Sequence, residues 1–149
     1  MPEGLASGMP VTVPRVVLDT NVLFAGLYSA TGKSYELLQA IADGRLRLVL
    51  STPLLFEYED VLKRNQMVLG LSEAEVDAAL DNLCARADFQ VVYFLWRPCL
   101  PDAKDDMVLE LAVAAQVGRI VSFNAKDFGP AVQFGIDIVS PKALLESLP

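Results

Sequence analysis

Short apolar runs alternate with longer stretches of helical spacing along most of this chain. Five runs rich in Val, Ile and Leu are typical of buried strands: 15–19, 45–50, 89–95, 119–123 and 136–139. The segments between them repeat their apolar residues at helical spacing, which predicts helices at 34–43, 52–64, 72–86 and 107–117 and a terminal helix after 140. Strands interleaved with helices predict one α/β domain with three layers, in which helices cover both faces of a mostly parallel five-stranded sheet.

Local signals place the starts of several helices. Thr52 is a predicted N-cap because Pro53 follows it at the first helical position. Ser72 and Glu75 have the spacing of a capping box, and Ser140 followed by proline starts the last helix. Residues 1–14 hold three prolines and two glycines and predict a flexible leader, so the single domain is expected over 15–149.

Size and composition narrow the class of protein. The chain has 149 residues, about one domain, and 53% of them are hydrophobic, which excludes a disordered chain. The longest stretch without a charge, Thr20 to Gly32, has 13 residues, whereas a membrane span needs about 20. The N-terminus has no apolar core of the kind that a signal peptide carries. We therefore expect a cytoplasmic protein with no membrane partner.

The ionisable residues exclude several kinds of chemistry. The sequence contains no histidine, which excludes Ser-His-Asp and Cys-His catalysis and imidazole-bound zinc. Its two cysteines, Cys84 and Cys99, are too few for a cysteine zinc site and are interpreted as reduced, packed thiols. The net charge is −7, opposite in sign to that of proteins that bind nucleic acid over a broad basic surface. A nucleic-acid partner would therefore need local basic groups and a bound metal.

Acidic residues follow the predicted strands or begin the helices next to them. Asp19 ends the first strand, Asp127 lies just past the strand at 119–123, and Asp105 and Asp106 begin a helix if Asp102 is its N-cap. On the helix at 52–64, Glu57 and Glu59 border opposite sides of the apolar stripe, and the spacing does not choose between them. Ligands of open parallel sheets bind beyond the carboxyl ends of the strands, so these acids are expected to share one cleft.

Carboxylates that share a cleft repel one another unless a cation is bound. Oxygen donors without histidine or cysteine suit Mg²⁺ or Mn²⁺. A metal held in this way can activate water and stabilise the leaving oxygen of a phosphodiester, as in many nucleases. The bound ion would also let an acidic protein hold an anionic backbone at this place.

At these residues the sequence resembles the PIN-domain family, in particular its toxin ribonucleases of VapC type. Four segments carry the resemblance, in order and at fitting distances: VVLDTNVLFAGL, STPLLFEYEDVL, DAKDDMVLELAVAA and IVSFNAKDF. The resemblance implies a Mg²⁺- or Mn²⁺-dependent endoribonuclease that cuts single-stranded or looped RNA. It also implies a homodimer and, as the toxin of a toxin–antitoxin pair, a small antitoxin partner.

The same resemblance assigns roles to individual residues. It implies four catalytic, metal-binding acids, with Glu57 preferred to Glu59: Asp19, Glu57, Asp106 and Asp127. Five further residues are implied as supports, with Asp105 also an adjacent competitor for the third acid: Thr20, Asn21, Asp105, Ser122 and Asn124. Glu110, one helical turn after Asp106, is either an extra ligand or a buried acid bound to a neighbour.

Contacts with RNA have candidates of two kinds. Three lysines near the cleft are candidates for phosphate contacts, although a solvated surface position is the ordinary interpretation of each: Lys33, Lys104 and Lys126. Three aromatic residues are candidates for stacking on bases, with packing in the core or an interface as their ordinary role: Tyr28, Trp96 and Phe128.

Two other functions fit parts of the pattern. One is another Mg²⁺-dependent phosphohydrolase, but enzymes of the haloacid-dehalogenase type need a second Asp where Asn21 stands. The other is a catalytically weak PIN-like module that binds RNA or protein, which the high apolar content favours. A short upstream gene for a DNA-binding antitoxin would favour the toxin.

Overall fold

The structure, a computed structural model, describes residues 13–92 and 103–149. Its sheet has five strands, all parallel, in the order β3-β2-β1-β4-β5. The strands are β1 Arg15–Leu18, β2 Arg47–Leu50, β3 Ala87–Phe89, β4 Arg119–Val121 and β5 Asp137–Val139. The predicted three-layer α/β/α architecture is confirmed, and the sheet is wholly rather than mostly parallel.

Helices connect the strands. They are α1 Thr20–Tyr28, α2 Lys33–Ala42, α3 Thr52–Arg64, α4 Gln66–Leu69, α5 Glu73–Ala85, α6 Ala103–Ala114 and α7 Pro141–Ser147, and a 3-10 segment covers Ala125–Phe134. Helix α6 packs against β1, β2 and β4 and against α3, while α1 packs against α2 and α3. None of these helices is long and apolar enough to span a membrane, within the part of the chain described.

The central strands are buried on both of their faces. Val16, Val17 and Leu18 follow one another in β1, and each is 0% exposed. Successive residues of a strand point to opposite faces, so three consecutive buried side chains require a helical layer on each face. This sandwiching explains why the strands have continuous apolar runs rather than alternation.

Most of the predicted helix starts are confirmed. Ser72 and Glu75 form both hydrogen bonds of the capping box, and the hydroxyl of Ser140 caps α7. The N-cap of α3 is Ser51, not Thr52: the Ser51 hydroxyl accepts a hydrogen bond from the Leu54 N–H, and its cap conformation is extended. Pro53 then occupies the second helical position. The prediction was one residue late because both residue types are good caps.

Two other predictions need correction. The third strand covers Ala87–Phe89 instead of 89–95, because these three residues pair in parallel with residues 48–50 of β2. Helix α6 covers Ala103–Ala114. Its start agrees with the alternative in which Asp105 and Asp106 begin the helix, and its end falls short of 117. Helix α1 and the 3-10 segment were not predicted. Some of the predictions fall on residues outside those that the structure describes. They are residues 1–12 of the leader, the end of the predicted third strand, Trp96, Cys99 and Asp102.

Candidate active site

The carboxyl ends of the parallel strands bring polar residues from distant parts of the chain to one edge of the sheet. Asp19 follows β1 and is the N-cap of α1, while Ser122 follows β4. The backbone N–H of Asp19 donates to the carbonyl of Val121 over 2.9 Å, which continues the β1–β4 pairing for one more residue. Asp19 and Ser122 therefore emerge side by side at the edge where parallel sheets bind ligands.

Hydrogen bonds fix the carboxylate of Asp19. Its Oδ1 accepts from the Thr20 N–H over 2.8 Å, and its Oδ2 accepts from the hydroxyl of Ser122 over 2.7 Å. The Ser122 oxygen in turn accepts from the N–H of Asn124 over 3.0 Å. Asp19 is 9% exposed, and these hydrogen bonds hold its carboxylate in one orientation at the carboxyl edge of the sheet. Thr20 and Ser122 thus bond to Asp19 directly, and Asn124 bonds to Ser122.

Helix α6 brings a second acid to the same edge. The chain passes from the end of α6 into β4, so the start of the helix lies at the carboxyl end of the sheet. Asp106, in the first turn, is 2% exposed, whereas Asp105 is half-buried. Burial therefore distinguishes Asp106 from Asp105, two candidates for the third acid between which the sequence did not decide. Glu110, one turn further along, is 3% exposed and is thus a buried acid of the same helix.

Helix α3 presents Glu57 to α6 and Glu59 to a different neighbour. The Glu57 side chain is 13% exposed and lies 3.6 Å from the Nζ of Lys104, in the first turn of α6. Glu59 accepts a 3.0 Å bond from Lys63, which also lies 2.9 Å from Asp77 of α5. The geometry therefore places Glu57, and not Glu59, beside the helix that carries Asp106. This choice was open on the helical spacing alone.

The fourth predicted acid lies in the 3-10 segment after β4. The backbone N–H of Asp127 donates to the carbonyl of Asn124 over 3.0 Å, and the residue is half-buried. Lys126 beside it is exposed. Phe128 is 1% exposed and packs in the core, the ordinary role expected for it, so it is not available for stacking on bases. Tyr28 and Lys33 are exposed, as such contacts require.

The donor set suits a hard divalent ion in its chemistry. Carboxylate oxygens from separate elements border the edge, and Asn21 adds a buried Oδ1 that accepts no hydrogen bond from the described residues. An orphaned buried oxygen is costly unless a ligand satisfies it. Within residues 13–92 and 103–149, however, no three acidic or cysteine side chains already form a group that could hold a metal. The donors are of the right kind, but they do not form a closed cage.

Tyr58 connects α3 to the residue before Asp19. Its hydroxyl donates to the carbonyl of Leu18 over 2.6 Å, and its side chain is 0% exposed. Burial raises the pKa of Tyr58 well above its ordinary value, and the negative charge of Asp19 raises that pKa further. The helical spacing of 52–64 does not reveal this bond, because only the packing of α3 beside β1 creates it.

Tyr58 should make stability fall at alkaline pH. Above about pH 10 the unfolded chain releases a tyrosine proton that the folded chain keeps, so the free energy of unfolding should fall by about 1.4 kcal/mol per pH unit from this group. Tyr58→Phe removes that contribution. We expect the variant to be less stable than the parent by about 1–2 kcal/mol at neutral pH, and this gap to narrow above pH 10. Urea unfolding of both proteins at about pH 8 and about pH 11 measures it; a gap that stays constant contradicts the assignment.

The family model of the PIN domain matches residues 15–126. The chain belongs to the PIN-domain family. The match begins with β1 and includes the positions of Asp19, Glu57 and Asp106, and Asp127 lies one residue beyond its end. PIN domains are generally nucleases and typically use divalent metals. Membership therefore agrees with the oxygen donors at the edge of the sheet.

A solved structure has the same fold as this PIN domain. It is the crystal structure of VapBC2 from Rickettsia felis bound to a DNA fragment from their promoter. The similarity covers 83% of this chain and 98% of that chain, with a TM-score of 0.60 and 14% sequence identity. No curated protein matches the sequence.

Proposed function

We propose that this PIN domain is a divalent-metal-dependent endoribonuclease that cleaves single-stranded or looped RNA. The observation that carries the proposal is the buried carboxylate of Asp19, held by Ser122 at the same edge to which α6 brings the buried Asp106. Acidic side chains that separate segments bring to one edge of a sheet repel one another, and a bound cation offsets that repulsion. The nuclease character of the family makes a phosphodiester the natural ligand for a metal held there.

The proposed metal ligands are Asp19, Glu57, Asp106 and Asp127, and the ion is Mg²⁺ or Mn²⁺. When bound, the ion supplies a Lewis acid that polarises the phosphodiester and stabilises negative charge as the bond breaks. Ser122 and the Thr20 N–H orient the Asp19 carboxylate. Asn21 offers its buried oxygen as a further polar contact at the start of α1. Asp105 is a supporting acid at the half-buried position beside Asp106.

Lys104 has a defined place in this arrangement. Its ammonium lies 3.6 Å from the Glu57 carboxylate and is 57% exposed. It neutralises part of the negative charge of the edge from the solvent side. The exposed ammonium is also able to turn toward an RNA phosphate, since an ion pair of this exposure contributes little stability.

We further propose that the protein is the toxin of a toxin–antitoxin pair, that it forms a homodimer, and that a small antitoxin protein is its partner. The support is the shared fold with the VapBC2 complex of Rickettsia felis. The net charge of −7 suits an arginine-rich partner segment that reaches the acidic edge. Co-expression with the product of a short neighbouring gene tests this part, because a true antitoxin copurifies and suppresses cleavage.

An RNA cleavage assay tests the proposed nuclease activity. The purified protein is incubated with structured and unstructured RNAs, once with Mn²⁺ or Mg²⁺ and once with chelator. We expect cuts in single-stranded segments with metal and none with chelator. Millimolar Mn²⁺ should also raise the melting temperature, because an ion that binds only the folded state stabilises it, by about 2.7 kcal/mol at a concentration 100 times its dissociation constant. Asp19→Asn should reduce that gain. Intact RNA together with an unchanged melting temperature would refute the proposal.

A further inference from the structure

A groove of about 330 Å³ lies beside the acidic edge. It runs between the end of α1, the start of α2, Phe123 in the segment after β4 and the start of α7. Its volume lies in the usual range of small-ligand sites. The side chains and backbone that matter for its chemistry are those of Tyr28, Gly32, Lys33, Phe123 and Lys142. We call this set the flanking groove.

Two aromatic rings of the flanking groove are open to solvent. Tyr28 is 61% exposed and Phe123 is 53% exposed. The ring of Tyr28 stacks on Phe24 with centroids 6.1 Å apart and planes 15° from parallel, so its orientation is set before any ligand arrives. Exposed rings that are held in place are suitable platforms for the faces of nucleobases.

The charge of the flanking groove is opposite to that of the whole chain. Lys33 and Lys142 line it, and among the described residues that line it none is acidic. Gly32, the N-cap of the ten-residue helix α2, provides no side-chain cap, so backbone N–H groups there are left for another acceptor. Lys33 pairs with the exposed Glu36 at 3.2 Å, a contact that a phosphate can replace at little cost. The groove thus favours an anionic ligand.

One residue of the flanking groove adjoins the residues that hold Asp19. Phe123 lies between Ser122, which donates to Asp19, and Asn124, whose N–H donates to Ser122. A strand whose phosphate reaches the acids can therefore place its neighbouring nucleotide in the groove. Aromatic faces, lysines and proximity to the acids together favour a nucleic-acid strand over an acidic peptide, which would offer no flat rings to stack.

We propose that the flanking groove binds the nucleotide of single-stranded RNA adjacent to the phosphodiester that is cut. The base stacks on Tyr28 or Phe123, and Lys33 and Lys142 contact its phosphate. Single-stranded RNA is required because the base must be unstacked to meet a ring. The inference rests on the proposed function and adds to it the recognition of a flanking nucleotide.

An RNA-binding measurement tests the groove without cleavage. The probe is a fluorescein-labelled, unstructured RNA of about ten nucleotides, a length within the span that single-strand sites cover. The measurement is fluorescence anisotropy in the Asp106→Asn background. Because one base–aromatic stack is worth about 1–3 kcal/mol, Tyr28→Ala with Phe123→Ala should raise the dissociation constant at least about 5-fold. Lys142→Gln should weaken binding and flatten its salt dependence by up to about one phosphate contact.

Matched controls lie away from the groove. Phe134→Ala removes a 43% exposed ring at the far end of the 3-10 segment, and Arg45→Gln removes a 51% exposed positive charge before β2. Both should bind RNA as the background does, and the melting temperature of every variant checks its fold. The DNA of the same sequence, run in parallel, reports whether the groove prefers RNA.

The outcomes separate this inference from the nuclease proposal. The groove proposal is overturned if the Tyr28→Ala, Phe123→Ala variant has the same dissociation constant for RNA as the Phe134→Ala control. This holds even if the parent protein cleaves RNA. The same holds if the background binds no RNA. Binding that depends on the groove, in a protein that cuts no RNA with Mn²⁺, retains the groove and refutes the nuclease.

Discussion

Replacing Asp106 with asparagine should lower the rate of RNA cleavage by at least about 100-fold, because even residues that only support a metal ligand typically cost 10–100-fold when changed. Asparagine keeps the shape of the side chain and removes the charge that would hold the ion. Asp106 is 2% exposed in the first turn of α6, where that charge meets little water. Initial rates on one unstructured RNA in Mn²⁺ measure the effect.

Asp105→Asn is the matched control for this experiment. Asp105 is adjacent and of the same type, but it is half-buried. We expect its replacement to reduce the rate by less than about 10-fold, the lower end of the range for supporting residues. The melting temperatures of both variants should stay close to that of the parent. A larger loss for Asp105→Asn than for Asp106→Asn would transfer the role of third acid to Asp105.

Glu57→Gln should cause a loss of similar size, at least about 100-fold, while Glu59→Gln should leave cleavage within a few-fold. The two residues lie on the same helix and carry the same charge. Their neighbours differ, since Glu57 lies 3.6 Å from Lys104 of α6 and Glu59 bonds to Lys63 on the α5 side. Of the two, only Glu57 therefore contacts the helix that carries Asp106.

The loss at Glu57 must come from chemistry and not from stability. Its ion pair with the 57% exposed Lys104 is worth at most about 1 kcal/mol. Urea unfolding should show that Glu57→Gln and Glu59→Gln have nearly the same stability. If both variants cleave RNA at the parental rate, the proposed role of Glu57 in the active site is contradicted. If only Glu59→Gln is inactive, the role belongs to Glu59.

Local sequence signals predicted an element correctly where the segment itself contains the residues that start and end it. Helix α3 covers 52–64 as predicted, and the Ser72–Glu75 capping box forms both of its bonds. Helix α1 escaped prediction because its uncharged sequence, which contains Gly26, has almost no polar face to contrast with its apolar one. Strand β3 was misplaced because the apolar run at 89–95 gives a stronger local signal than Ala87–Phe89. Its place depends on pairing with β2, which sets Leu48 beside Ala87 and Leu50 beside Phe89, and such pairing is not visible in a short segment.

The sequence by itself determined the kind of fold and the class of donors, because strand and helix periodicity, caps and residue types are properties of short segments. The four candidate acids came from its resemblance to the PIN-domain family, since the helical spacing left Glu57 and Glu59 as alternatives. Tertiary structure decided which donors are neighbours. Asp19 and Ser122 are 103 residues apart in the chain and 2.7 Å apart in space, which only the pairing of β1 with β4 produces. Burial of Asp106 and the direction of Glu57 likewise depend on how α6 and α3 pack, since a helical pattern fixes spacing but not the neighbour that each face meets.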